Sequence, residues 1–137
     1  MFRLCLYSLI LVVILLTGCE SIREQDCNSD EQKRVNEYLY FGTAKPDGVV
    51  SIEEWSGFLK TVVTPLFPEG LTVLNAYGQW RSSDGLTSSE DAYVLNLVHT
   101  ENIEADSAIE LIMEKYKSQF QQESVMRVRS LACVSFN

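Results

Sequence analysis

Apolar positions in this chain alternate in four places, recur at helical spacing in two, and run almost unbroken in one. In residues 35–41, Val35, Glu37, Leu39 and Phe41 point one way and Tyr38 and Tyr40 the other, which predicts a strand with large side chains on both faces. Pro46-Asp47-Gly48 marks a turn-rich loop after it. Ser51-Ile52-Glu53-Glu54 is a capping box, in which the serine oxygen accepts from the Glu54 amide and Glu54 reaches back; Val50 and Trp55 occupy the staple positions. Trp55, Phe58, Leu59, Val62 and Leu66 then recur on one helical face. Pro65 disfavours the helical conformation at Thr64, so the helix is expected to end there. Residues 71–81 read as a second strand, Ser82-Ser83-Asp84-Gly85 as a hairpin tip and residues 89–98 as a third strand. Residues 101–120 carry the stripe Ala105, Ile109, Ile112, Tyr116 and Phe120, with acids at the start and Lys115 and Lys117 at the end, as the helix dipole favours. Residues 125–136 form the last strand. The order β-α-β-β-α-β predicts an α+β, ferredoxin-like domain: a four-stranded antiparallel sheet with two helices on one face.

The almost unbroken apolar block, residues 4–16, follows Arg3 and is shorter than the roughly 20 residues a membrane span needs. It has the length of a signal-peptide core. It ends in Leu16-Thr17-Gly18-Cys19, which looks like a bacterial lipobox: small residues fit the peptidase subsites, and the thiol takes a diacylglyceryl thioether before cleavage. Cys19 is therefore read as the lipid attachment site and first mature residue, its amine acylated by a palmitate-type chain. Several acyl chains on one residue give stable anchoring. Residues 1–18 are then a lipoprotein signal peptide, 19–34 a polar tether and 35–137 the domain. The expected place is the cell membrane or outer membrane, with the domain facing the periplasm or exterior; Glu20, rather than Asp, leans toward the outer membrane of a Gram-negative cell.

The net charge is -8, and an acidic surface repels phosphate backbones and anionic head groups. Nucleic acid is not an expected partner, and attachment has to come from the lipid on Cys19. With Cys5 in the leader and Cys19 acylated, Cys27 and Cys133 remain in an oxidising compartment, where they most simply form a disulfide. The alternative is two separate thiols, Cys27 exposed and Cys133 buried. They have neither CxxC nor zinc-ligand spacing.

Seven segments in this order, Leu39-Tyr40-Phe41-Gly42, Pro46-Asp47-Gly48, Glu54-Trp55, Thr64-Pro65 with Phe67-Pro68, Gly70-Leu71-Thr72-Val73, Gly78-Gln79-Trp80-Arg81 and Ala132-Cys133-Val134-Ser135-Phe136, make the mature chain resemble a bacterial family catalogued as domain of unknown function 3574. The resemblance implies an exported protein, often a lipoprotein, and carries over no catalytic or ligand residue. The family pattern has a basic residue where Leu66 stands, an Asp where Asn75 stands and a basic residue near Ala92, which weakens any site that depends on charge there.

Three groups are candidate ligand-binding residues. Gln79, Trp80 and Arg81 place an amide, an indole and a guanidinium at a strand end, a set suited to planar or anionic ligands; the plainer reading is core packing by Trp80 and an ion pair for Arg81. Tyr38 and Tyr40 project from the sheet face opposite the helices, which a two-layer fold leaves open to a homodimer partner or a ligand, or as a partly wet surface. His99, the sole histidine, has Glu101 two residues on, and the pair could hold a metal or act as a base; a sole histidine at a strand end is more often a solvated or capping group. No catalytic set, no metal site and no cofactor motif stands out. The sequence thus points to a lipid-anchored envelope protein acting as a binding or interaction module, with a small enzyme or small-molecule sensor as the alternative.

Overall fold

The computed structural model describes residues 26–81 and 85–136; the leader, residues 19–25 of the tether, the hairpin tip at 82–84 and Asn137 lie outside the described residues, as does the side chain of Trp80. The elements are β1 (Gln32–Gly42), β2 (Ala44–Lys45), β3 (Gly48–Val49), α1 (Ile52–Phe58), a π-helical turn (Leu59–Val63), α2 (Thr64–Leu66), β4 (Thr72–Arg81), β5 (Thr87–His99), α3 (Ile103–Phe120) and β6 (Met126–Val134). The four long strands form one sheet in the order β4-β5-β1-β6, every neighbouring pair antiparallel. The architecture is α+β and compatible with a ferredoxin-like fold.

The alternation in β1 does what it predicts. Val35, Glu37, Leu39 and Phe41 are fully buried under the helices, and the tyrosines between them are half-buried on the far face. β1 starts earlier than expected, at Gln32, inside the expected tether. Its polar first residues are held by pairing rather than burial, Gln32 opposite Val134 and Lys33 opposite Cys133. The Cys27–Cys133 disulfide forms at this point, with Cα atoms 5.4 Å apart.

Ser51 caps α1 as its spacing requires, and both halves of the capping box are present. The helical path does not stop at Thr64. The Thr64 N–H donates to the Leu59 carbonyl, five residues back, so the chain widens into a π turn. Pro65 then falls in the first turn of α2, where its missing N–H costs nothing. Asn102, not Glu101, starts α3: its side chain accepts from the Ala105 amide at 2.7 Å. Gln121, in the left-handed conformation at φ 56°, ends it.

Between helices and sheet lies an aromatic core. Phe41 meets Tyr116 at 4.6 Å between ring centroids and Trp55 at 5.2 Å. Trp55 stacks flat on Tyr93 at 4.6 Å. The Tyr116 hydroxyl donates to the Gly42 carbonyl at 2.9 Å, and burial pushes that phenol well above its ordinary pKa. Among the described residues no helix is long and apolar enough to cross a membrane.

Candidate functional site

The strand register sets the open face in rows. Leu74, Val94, Tyr40 and Met126 lie side by side across the four strands, and Thr72, Asn96, Tyr38 and Val128 form the next row. Met126 is 56% exposed and Leu74 50%, and Val98 and Val128 add further apolar surface. The polar interruption is internally satisfied: Asn96 donates to the Asn36 side chain at 2.5 Å and to the Glu37 carbonyl at 3.0 Å. A third row, Ala76, Ala92 and Gly42, has almost no side-chain height.

Gly42 and Ala92 of that row, with Gly78, floor a cleft of about 590 Å³, walled by Tyr40, Gln79, Glu90, Met126 and the turn after α3. The Glu90 carboxylate accepts from the Ala44 amide at 3.0 Å, and a Cβ on Gly42 would come within 2.8 Å of it, so a side chain at 42 would push that carboxylate out of place. Gln122 donates to the Ala44 carbonyl and ties the turn to β2. On the rim, Lys45 donates to Glu54 at 2.6 Å; the bond pushes the lysine pKa up and, with the Ser51 amide, the glutamate pKa down. A tyrosine, two amides and a carboxylate over a small-residue floor can bind a polar organic molecule or a partner's side chains.

At the other end and on the helix side lies a charge cluster that the sequence reading did not single out. Glu37 is fully buried. Arg127 grips it with two bonds, Nε to Oε2 at 2.9 Å and Nη2 to Oε1 at 2.5 Å, and reaches Asp106 at 2.6 Å. Arg129 stands 3.6 Å from Glu37 and donates to Glu101 at 2.6 Å. The hydrogen bond to Glu37 drives the Arg127 pKa up, and the bond from Arg127 holds Asp106 below the ordinary carboxylate range. The visible signal was a charge at the one core-facing position of β1 where an apolar residue belongs, answered by arginines at alternate positions of β6.

His99 belongs to this cluster and not to the open face. It is 7% exposed, with Phe67 packed on its ring. Its Nδ1–H donates to the Thr100 carbonyl at 2.8 Å, while Nε2 faces Glu37 at 3.8 Å without a hydrogen-bond partner. Glu101, the neighbour suggested by sequence, is taken by Arg129. Tyr38 and Tyr40 share the open face, and Tyr40 and Gln79 line one cleft. Arg81 is exposed at the end of β4, and Trp80 pairs in register with Ser88. The candidates therefore divide: Tyr40 and Gln79 meet, and His99 lies apart.

Among solved structures, the fold is similar to a phage SAM lyase in complex with S-methyl-5'-thioadenosine, at a TM-score of 0.57 and 12% identity over 85% of this chain and 97% of that one. It is also similar to CutA from Synechococcus elongatus PCC7942, at a TM-score of 0.52 and 10% identity over 77% of this chain and 83% of that one. At these identities the likeness is one of fold. No curated protein matches the sequence. The family model described as "Protein of unknown function (DUF3574)" matches residues 36–136, from the second half of β1 through the end of β6. The chain belongs to that family.

Proposed function

We propose that this protein is an envelope lipoprotein, anchored through Cys19, whose domain is a ferredoxin-like βαββαβ binding module that pairs with a second copy through the open sheet face. The observation that carries the reading is that face: two rows of large side chains, Leu74-Val94-Tyr40-Met126 and Tyr38-Val128, on a sheet whose helices, among the described residues, pack on the other side. Burying such a surface against its own copy removes apolar area from water, and a stable dimer needs about 800 Å² from each partner. The strand order and the placement of β2 and β3 as a small insertion after β1 support the topology. The lipobox supports the anchor.

Native mass spectrometry of a soluble form beginning after Cys19 tests the pairing. A dimer is expected, and the Met126→Glu, Val128→Glu variant is expected to be monomeric at the same concentration. A monomeric parent protein would end the homodimer reading. The anchor is tested separately: Cys19→Ala is expected to leave the membrane fraction.

The cleft favours a second reading, a small enzyme or small-molecule sensor. It joins Tyr40 and Gln79 to Glu90 in a volume suited to a small ligand. The same mass spectrum separates the two, because a ligand carried through purification adds mass to the monomer.

A further inference from the structure

The disulfide does more than close a loop, because of where it lies relative to the anchor. Cys27 lies eight positions after Cys19, a reach of about 28 Å even when fully extended. Cys27 is bonded to Cys133, which pairs with Lys33 at the start of β1. Without that bond the free tether would run thirteen residues, to Gln32, and reach about 45 Å. β1 has 11 residues and is about 37 Å long. To stand with its far end on the bilayer, the domain has to lift the Cys27 end by at least that length. A reach of about 45 Å permits this, and a reach of about 28 Å does not.

Resting on the reading of Cys19 as the lipid anchor, we infer that the Cys27–Cys133 bond holds the domain with one end against the bilayer that bears its anchor, and that this end is a lipid-contact surface. The end is built for it. Phe136, 90% exposed, follows β6, and Ile103, 80% exposed, opens α3. A hollow of about 410 Å³ groups Phe136 with Leu71, Val98, Arg34 and Thr100 at this same end of the sheet. Glu69 also lines the hollow, and Glu101 and Glu104 flank Ile103, so the surface suits zwitterionic rather than anionic lipid. Aromatic and branched side chains then enter the interface while the carboxylates stay in the head-group layer. The cleft around Tyr40, Gln79 and Glu90, at the opposite ends of the same strands, faces the aqueous compartment.

The test is hydrogen–deuterium exchange on the lipidated mature chain in phosphatidylcholine nanodiscs, compared with the soluble form lacking Cys19. Intact mass first establishes whether Cys19 carries lipid; an unmodified Cys19 overturns the anchor reading and this inference together. With lipid present, exchange is expected to slow about threefold or more over residues 100–104 and 131–136, and to stay unchanged over residues 44–49 and 85–88. Inserting about ten Gly and Ser residues between Cys19 and Cys27 leaves the domain untouched and is expected to abolish the protection. Uniform exchange, protection at 44–49 and 85–88, or protection that survives the longer tether would overturn the orientation while leaving the anchor standing.

Discussion

The two faces of the sheet come from alternate residues of the same strands, and they are committed to different tasks. Under the helices, β1 presents Val35, Glu37, Leu39 and Phe41, all fully buried, and the one charge among them is met by Arg127, Arg129 and His99. On the other face β1 presents Tyr38 and Tyr40, which border exposed Val128 and Met126. The difference teaches that a large side chain in a strand is a fold determinant or a functional candidate according to parity alone. It also separates mutations that unfold the protein from mutations that change what it binds.

The strongest way to break this contrast is Arg127→Ala. It leaves Glu37 buried without its bidentate partner and is expected to cost about 3–5 kcal/mol in urea unfolding. Replacing both members, as in Glu37→Leu with Arg127→Leu, is expected to recover most of that loss, because no orphaned charge remains. A double variant no better than the single one would mean the pair has a role beyond mutual neutralisation.

A smaller effect should appear on acidification. Asp106 and Glu54 have pKa values lowered from the ordinary 3.8 and 4.5 by their bonds to Arg127 and Lys45. Their stabilising contribution is therefore complete above those ordinary values and is lost as pH falls through the depressed folded ones. Thermal unfolding followed downward from pH 6 should show stability falling on that acid limb, and Asp106→Asn should make the limb shallower. An unchanged limb would place the acid sensitivity elsewhere.

The smallest expected effect sharpens the comparison from the other side. Met126→Ser on the open face should change unfolding stability by no more than about 0.5 kcal/mol. A cost well above that, measured on the monomer, would show that the open face is part of the core after all.

Much of the helix-facing half was legible in advance. The capping box at Ser51, the stripe Ile109-Ile112-Tyr116-Phe120 and the alternation in β1 are local patterns with a fixed period, and the structure keeps all three. Pro65 misled because its steric rule speaks only of its neighbour; a wide turn upstream let the helical path continue. Gln32 to Arg34 are polar and lack a strand signal, and only pairing with β6 makes them extended. His99 and Glu37 are 62 positions apart in the chain, and nothing local announces that they meet.

By itself the sequence determined the acidic charge, the presence of four long strands and two amphipathic helices, and which side chains face together, because each follows from periodicity and residue chemistry over a few neighbours. The pairing of Cys27 with Cys133 was the simplest reading of two leftover thiols, and it holds in the fold. Only the tertiary structure decided that Glu37 is held by Arg127, and that Tyr40 and Gln79 share a cleft while His99 stands at the far end. Those relations depend on strand order and register, which bring positions from opposite ends of the chain within a few ångströms and leave no trace in local spacing.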